Sequence, residues 1–145
     1  MSRHATRRGS LEHLAVHLLR RAGQRADEIF AEELADANVT PRQYAVLVSV
    51  AQNADPSQAD LVKKTGIDRS TMGDLVRSLV KKGLVQRQRR RRNPRAYAVR
   101  LTETGNEALK MAEPQALRAD AAIVARLSRE QRKSFIEALN IISGS

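Results

Sequence analysis

The sequence predicts a mostly helical protein that carries one small β-hairpin. Three observations support this prediction. Apolar residues recur at helical spacing along most of the 145 residues, side-chain caps stand at the predicted helix starts, and alternation is confined to residues 96–101. The hydrophobic content is 41% and the aromatic content only 3%, so we expect an aliphatic core. The length fits one compact protomer.

The N-terminal third predicts two helices. Ser10 is expected to cap a helix that runs from Leu11 to about Ala37, and Thr40 to cap a second helix with Pro41 in its first turn. The apolar stripe of the first helix comprises Leu11, Leu14, Leu18, Ile29, Phe30 and Leu34. The predicted buried side of the second comprises Tyr44, Ala45, Leu47, Val48 and Ala51.

Two further helices follow, joined by a short turn. Ser57 and Asp60 form a capping box before a short helix in which Leu61 and Val62 face inward, and Gly66 suits a left-handed residue at its end. Asp68 is expected to cap the next helix, which ends at Gly83. The apolar face of that helix comprises Met72, Leu75, Val76, Leu79 and Val80. Its opposite face comprises Ser70, Gly73, Asp74, Arg77 and Lys81.

The hairpin is predicted from strands at 84–88 and 96–101. In the second strand, Tyr97, Val99 and Leu101 share one face, and Ala96, Ala98 and Arg100 share the other. Beyond it, Thr102 caps a long helix from Glu103 that Pro114 is expected to kink or interrupt. Ser128 and Gln131 form a capping box for a last helix, whose apolar residues are Phe135, Ile136, Leu139 and Ile142.

The positive charge is concentrated in one block. The net charge is +10, and residues 63–100 hold 13 of the 26 lysines and arginines but only two acidic residues, Asp68 and Asp74. Six arginines fall between positions 87 and 95. A block this unbalanced beside ordered elements favours a nucleic acid as partner. A membrane surface is the weaker alternative, because the block lacks the apolar face of an interfacial helix.

Two helices joined by a glycine-containing turn and followed by a hairpin make a winged helix-turn-helix. Its second helix suits the major groove, and arginines at the hairpin tip suit phosphates or the minor groove. Ser70 and Thr71 lie in the first turn, where free N–H groups meet phosphates or base edges, and Arg77 is our candidate for base readout. Asp74 either accepts from a cytosine or, as we favour, forms a salt bridge with Arg77 or Arg69. The predicted DNA-contacting residues are Gln58, Arg69, Ser70, Thr71, Asp74, Arg77, Lys81, Arg89, Arg90, Arg91, Arg92, Asn93 and Arg95.

Residues 38–110 resemble the MarR family of bacterial transcription regulators. The resemblance rests on "GLV.R" at Gly83-Leu84-Val85 and Arg87, on the wing, and on "LT..G" at 101–105. It implies an obligate homodimer that reads a palindrome, and repression relieved by an aromatic or acidic small molecule. There are two departures: the family's Asp-x-Arg in the wing is Asn93-Pro94-Arg95 here, and many members carry a basic residue where Asp74 stands. Base specificity therefore does not transfer.

The predicted organisation has four parts. Residues 1–9 form a flexible basic tail, 10–37 an N-terminal dimerisation helix, 38–101 the winged helix-turn-helix and 102–145 C-terminal dimerisation helices. The apolar stripes at 11–34 and 123–142 have no other evident partner in the chain, so we expect them to form a dimer core. The sequence contains no cysteine, no leader-like apolar segment and no run near the roughly 18 apolar residues of a membrane span. These features favour a cytoplasmic protein without membrane attachment.

Other functions depend on particular residues. His13 and His17 are spaced for a zinc site, but two histidines without cysteine are a weak signal, and we expect no metal or cofactor. The resemblance places an effector pocket near His17, Arg20 and Tyr44. A sequence-non-specific architectural DNA-binding protein is the main alternative, since an arginine tip alone supports it. An RNA-binding winged helix lacks aromatic stacking platforms. We expect no enzyme, because neither a phosphate-binding loop nor a nucleophilic triad is present.

Overall fold

The fold has the predicted character of a mostly helical chain with one hairpin. The structure is a computed structural model that describes residues 10–90 and 97–144. The helices are α1 (Ala15–Glu33), α2 (Pro41–Gln52), α3 (Gln58–Thr65), α4 (Arg69–Lys81), α5 (Glu103–Ile123) and α6 (Arg129–Ser143). The strands are β1 (Val85–Arg89) and β2 (Tyr97–Leu101), which pair antiparallel with Val85 opposite Leu101 and Arg89 opposite Tyr97.

The chain divides into two compact units. One spans Leu34–Ala116 and contains α2, α3, α4 and the hairpin, and the other takes in the described residues up to Glu33 together with those from Leu117 onward. Helices α2, α3 and α4 pack on one another, and the hairpin packs on them. Within the part of the chain that the structure describes, no helix is long and apolar enough to cross a membrane.

The core of the unit at Leu34–Ala116 is aliphatic, as the composition predicts. Its largest fully buried side chains come from all three helices and both strands, and they include Val46, Leu47, Leu61, Met72, Val76, Leu79, Val85 and Val99. Burying each such side chain contributes about 1.5–3 kcal/mol. This core fixes the turn between α3 and α4, and it sets the position of the hairpin beside them.

Side-chain caps begin the helices of this unit at the predicted residues. The Thr40 hydroxyl accepts from the Gln43 N–H and the Ser57 hydroxyl accepts from the Asp60 N–H, and each forms a complete capping box. Asp68 accepts from the Thr71 N–H at the start of α4. Such caps are worth about 1 kcal/mol each, because they satisfy N–H groups that have no partner within the helix. Ser128 and Gln131 form the same box before α6.

The first helix begins later than predicted. Residues Leu11–His13 form a separate 3-10 turn, Leu14 is extended, and the Ser10 side chain makes no capping hydrogen bond. The helix α1 runs from Ala15 to Glu33, and a 3-10 turn at Ala35–Ala37 follows it. His13 therefore lies outside the helix that contains His17, and the four-residue spacing does not place the two on one helical face. Among the described residues, no group of three or more potential metal ligands occurs.

The predicted inward face of α2 was partly wrong. Leu47 is buried, but Ala45 and Ala51 are exposed and Tyr44 is only half-buried, while Gln43 is buried instead. The Gln43 amide oxygen accepts from the Thr40 N–H and from Lys82 Nζ, both at 3.1 Å, and its Nε2 donates to the Ser78 hydroxyl at 3.0 Å. A polar group with this many partners is stable inside, and Gln43 lies on the same buried side of α2 as Val46, Leu47 and Val50.

Burial on α4 and β2 also departs from the predicted pattern. Gly73, assigned to the exposed face, is buried, whereas Val80 is 40% exposed. In β2, both Ala98 and Val99 are buried and Tyr97 is 49% exposed. The Val99 N–H donates to the Pro56 carbonyl at 2.8 Å, so the loop before α3 covers this edge of the hairpin. The strand also packs against α2 and α3.

Helix α5 starts where predicted and runs through Pro114 without interruption. The Thr102 hydroxyl accepts from the Gly105 N–H at 2.9 Å and donates to the Gly83 carbonyl at 2.6 Å. The Thr102 N–H donates to the Leu84 carbonyl at 3.1 Å. A Cβ at Gly105 would overlap that carbonyl oxygen and lie 2.9 Å from its carbon. Glycine is required here because the start of α5 packs directly against the backbone before β1.

Candidate nucleic-acid interface

The interface is built on α3, the turn after it, and α4. Gly66 has a positive φ of 71° and closes α3, and Asp68 begins α4 two residues later. Asp68 accepts from both the N–H and the hydroxyl of Thr71, each at 2.8 Å. These hydrogen bonds favour the charged carboxylate, and they hold the pKa of Asp68 below its ordinary value. Thr71, a predicted DNA contact, thus has its hydroxyl hydrogen engaged within the protein.

The outer face of α4 presents a mixed polar surface. Five of the predicted DNA-contacting residues are exposed along it, namely Arg69, Ser70, Asp74, Arg77 and Lys81. The favoured interpretation of Asp74 is confirmed, because it forms a salt bridge with Arg77. Their side chains are 70% and 63% exposed, and a pair so exposed to solvent contributes little stability. Arg77 can therefore exchange this partner for a base at small cost.

The buried Gly73 brings α3 and α4 close together beneath Arg77. A Cβ at Gly73 would lie 3.5 Å from a terminal nitrogen of Arg77 and 3.6 Å from Nε2 of Gln58. Gln58, at the first turn of α3, also accepts from Arg87 of β1 at 3.2 Å. Gln58, Arg77 and Arg87 therefore form one cluster that joins both helices to the hairpin.

Two residues of this surface, Arg87 and Tyr97, were not among the predicted site residues. Together with Ser57, Gln58 and Ala59, they line a surface cavity of about 560 Å³ beside the start of α3. Arg89 is exposed and its guanidinium carbon lies 5.7 Å from the centre of the Tyr97 ring, a cation–π contact. The pairing of Arg89 with Tyr97 is given by the antiparallel register of the structure, and the predicted first strand, at 84–88, did not include Arg89.

Arg90, another predicted wing contact, forms hydrogen bonds within the chain. Its side chain is 32% exposed and donates to the Asp60 carboxylate at 2.8 Å and to the Asp55 carbonyl at 2.6 Å. The pKa of Asp60 lies below its ordinary value, because the Ser57 N–H and then Arg90 hydrogen-bond to the charged form. The remaining predicted wing residues, Arg91, Arg92, Asn93 and Arg95, lie outside the described residues.

Known proteins share this arrangement of helices and hairpin. A family model described as MarR family matches residues 37–96. The HTH-type transcriptional repressor NicR of Pseudomonas putida is 31% identical over 120 residues, which cover 83% of this chain and 76% of NicR. The chain belongs to the MarR family. Members of the MarR family are transcriptional regulators and not enzymes.

Solved MarR-family structures match the fold along most of the chain. BpsR of Bordetella bronchiseptica has a TM-score of 0.88 at 26% identity. Its structure is described with a mechanism by which 6-hydroxynicotinic acid regulates its DNA binding. That match covers 94% of this chain and 97% of BpsR. The transcriptional repressor CouR, bound to a 23-mer DNA duplex, has a TM-score of 0.85 at 28% identity and covers 93% and 96% of the two chains.

The residues predicted for an effector pocket of the MarR type belong to different units. His17 is half-buried and Arg20 is exposed, and both lie on α1. Tyr44 lies on α2, where it lines a groove of about 580 Å³ that also includes Val48, Ser49 and Lys64. Burial, and secondarily the negative charge of Glu113, raise the pKa of the Tyr44 phenol above its ordinary value.

Proposed function

We propose that this protein is a sequence-specific, double-stranded DNA-binding repressor that acts as a homodimer on a palindromic operator and releases it when a small molecule binds. The observation that carries the proposal is the outer face of α4. It offers the basic residues Arg69, Arg77 and Lys81 together with an acid, Asp74, and a hydroxyl, Ser70, rather than a uniformly basic surface. A mixed face discriminates between bases, whereas a uniform one attracts any phosphate backbone.

The roles of the exposed residues follow from their chemistry. Ser70 lies in the first turn of α4, where a hydroxyl and free backbone N–H groups suit a phosphate. Arg77 lies further along the same face and suits the two acceptors of a guanine. Arg89 extends from the end of β1 and suits the neighbouring backbone or minor groove. In this assignment α4 reads the sequence and the hairpin anchors the protein.

A homodimer is supported by helices that have no core of their own. Among the described residues of α1 and α6, none is buried. Between them lies an apolar groove of about 530 Å³, lined in part by Leu18, Leu19, Phe135, Leu139 and Ile142. Ile141 is 80% exposed and Leu11 58% exposed at the same unit's surface. Exposed apolar faces of this extent are typical of an interface, and two copies offer matching faces.

The dimer is tested by sedimentation velocity at low micromolar concentration. We expect twice the chain mass of 16.1 kDa, together with a melting temperature that rises with protein concentration. Replacing Leu139 and Ile142 with Asp should yield monomers, while the matched replacement of exposed Asn140 with Asp should not. A monomeric wild-type protein would overturn this part of the proposal.

The effector is proposed from the relatives. BpsR is described with 6-hydroxynicotinic acid and CouR with p-coumaroyl-CoA, and each of these ligands joins an aromatic ring to acidic groups. We propose an aromatic acid or its thioester for this protein, with Arg20 as partner of the acid and His17, on the same helix, as a further polar contact. A panel of aromatic acids tested for release of bound DNA would identify it, and Arg20→Ala should abolish the release.

The operator proposal is tested by selecting genomic fragments with the purified protein at about physiological salt and sequencing them. We expect a few sites that share a palindrome, with half-sites about one helical turn apart. Even recovery of the genome would favour a sequence-non-specific architectural protein instead. Failure to bind any DNA would overturn both functions.

A further inference from the structure

We propose that Asp55 and Asp60 are positioning residues for DNA binding, which latch the hairpin onto the start of α3 through Arg100 and Arg90. The latch rests on the proposed function in one respect only, namely that the hairpin contacts DNA. The proposal assigns a role in DNA binding to two acidic side chains. From their charge alone, these side chains would be expected to repel a phosphate backbone.

The first half of the latch joins the end of β1 to α3. Arg90 follows directly after β1, yet its terminal nitrogen donates both to the Asp60 carboxylate at 2.8 Å and to the Asp55 carbonyl at 2.6 Å. Its Nε is buried, so the inner edge of the guanidinium faces protein and not solvent. Asp60 is itself fixed, because its carboxylate accepts from the Ser57 N–H in the capping box of α3. One carboxylate thus begins the helix and holds the hairpin.

The second half joins β2 to the loop before α3. The Asp55 carboxylate accepts from Arg100 Nε at 2.8 Å and lies 2.6 Å from a terminal nitrogen of the same side chain. Arg100 also donates to Gln88 on the opposite strand at 2.7 Å, and so ties both strands to the loop. Beside this pair, the Val99 N–H donates to the Pro56 carbonyl at 2.8 Å.

Together these bonds hold the hairpin at two separate points, one beyond the end of β1 and one within β2. A two-stranded hairpin is marginally stable alone and changes its angle easily, so anchors at both points restrict its motion. A hairpin already held in position loses less conformational entropy when it meets DNA, and this raises affinity although the hairpin touches the DNA in the same way. Arg90 acts here on the hairpin and not on a phosphate.

Because Asp55 and Asp60 are acidic, the proposal and simple electrostatics predict opposite changes in DNA affinity when either residue is neutralised. Removing an acid near a DNA-binding surface removes repulsion, so electrostatics alone predicts tighter binding for Asp60→Asn and Asp55→Asn. The latch predicts weaker binding. Both substitutions preserve the local backbone: Asn at 60 still accepts from the Ser57 N–H, and Asn at 55 tolerates the positive φ of 48° found there. Asp36→Asn, at an exposed position of the same unit, is the matched control.

The assay is fluorescence anisotropy with a labelled random-sequence DNA duplex, measured over a range of salt concentrations. A random duplex isolates binding to the DNA backbone, so the outcome does not depend on finding an operator. We expect each variant to bind about threefold to fivefold more weakly. The salt slope should stay close to that of wild type, because the hairpin still reaches the same phosphates and only the entropy cost of placing it rises. Asp36→Asn should bind as tightly as wild type or slightly tighter. Tighter binding by Asp60→Asn would overturn the latch.

A thermodynamic cycle separates the latch from direct binding of phosphate by Arg90. If Arg90 acts through Asp60, then Arg90→Gln weakens binding and the double variant Asp60→Asn, Arg90→Gln is no weaker than Arg90→Gln alone. If Arg90 contacts phosphate instead, Asp60→Asn frees it and binds more tightly, and the proposal is wrong. Global stability, measured by urea unfolding, should differ little among the variants, so a general loss of folding would not produce this pattern.

Hydrogen exchange tests the latch without DNA. We expect the Val99 N–H and the amides of β1 to exchange several-fold faster in Asp55→Asn than in wild type, while amides of the core of α4 keep their protection. Unchanged exchange in the hairpin would overturn the latch even if DNA binding fell. Faster exchange in a protein that fails to bind any duplex would leave the latch standing and refute the proposed function.

Discussion

Among substitutions that add a single methyl group, we expect Gly105→Ala to reduce the free energy of unfolding the most. The new Cβ would overlap the Leu84 carbonyl oxygen, whereas carbon and oxygen atoms approach to about 3.3 Å even in weak C–H···O contacts. The backbone must move apart, and the hydrogen bond from the Thr102 N–H to the same oxygen, at 3.1 Å, is strained or broken. Overpacking costs about 1–3 kcal/mol and the hydrogen bond about 1 kcal/mol.

The gain from helix propensity offsets about 1 kcal/mol of this, so we expect a net loss of about 1–3 kcal/mol in the free energy of unfolding. Gly73→Ala is the matched control, because its Cβ would meet side-chain nitrogens at 3.5 and 3.6 Å, which are ordinary contacts. It should be neutral or gain up to about 1 kcal/mol. Urea unfolding followed by circular dichroism measures both. Equal stability of the two variants would refute the close approach of α5 to Leu84.

Three further outcomes are expected. Gln43→Leu leaves the Thr40 N–H without its acceptor and removes one of the two acceptors of Lys82, so it should cost about 2–3 kcal/mol in urea unfolding. The exposed Gln52→Leu should cost almost nothing, and similar values for the two variants would contradict the role of the buried amide. In competition binding, Arg77→Ala should relax base preference, whereas Arg89→Ala should weaken binding to all sequences alike. Equal effects of the two substitutions would refute the assignment of base recognition to α4 and backbone binding to the hairpin. The pKa of Asp60 is lowered on folding, so the stability that it adds to the hairpin is present above pH 3.8 and is lost as pH falls through the lower folded value. In that acid range, the hairpin amides of wild type should therefore lose protection from hydrogen exchange, whereas those of Asp60→Asn should not. Identical pH profiles of exchange in the two proteins would contradict the role of the Asp60 carboxylate in holding the hairpin.

Local features were predictable from the sequence, and features set by distant residues were not. The caps at Thr40, Ser57 and Asp68 depend on residues three positions away, and all form as predicted. The burial of Gln43 depends on Ser78 and Lys82, far along the chain, and no helical spacing reveals it. The prediction for α2 therefore missed Gln43, and it also missed the apolar Val46 and Val50 on the same buried side.

The candidate site shows the same division. Exposure along the outer face of α4 and the pairing of Asp74 with its neighbour three residues on were predictable from helix geometry. The pairing of Arg90 with Asp60, 30 positions apart, was not, and a run of arginines gave each the same predicted role. Only the packing of the hairpin on α3 shows that Arg90 has partners inside the chain, whereas its neighbour Arg89 is exposed.

In the proposed homodimer, the absence of fully buried residues in the described parts of α1 and α6 would link the amount of protein in the cell to operator recognition. These helices would gain a partner only when two copies meet, so a cell with few molecules would hold protomers whose DNA-binding unit is folded while α1 and α6 stay unpaired. Two adjacent half-sites would hold such protomers at high effective concentration. The dimer would then form on the operator, and repression would rise more than proportionally with the amount of protein made.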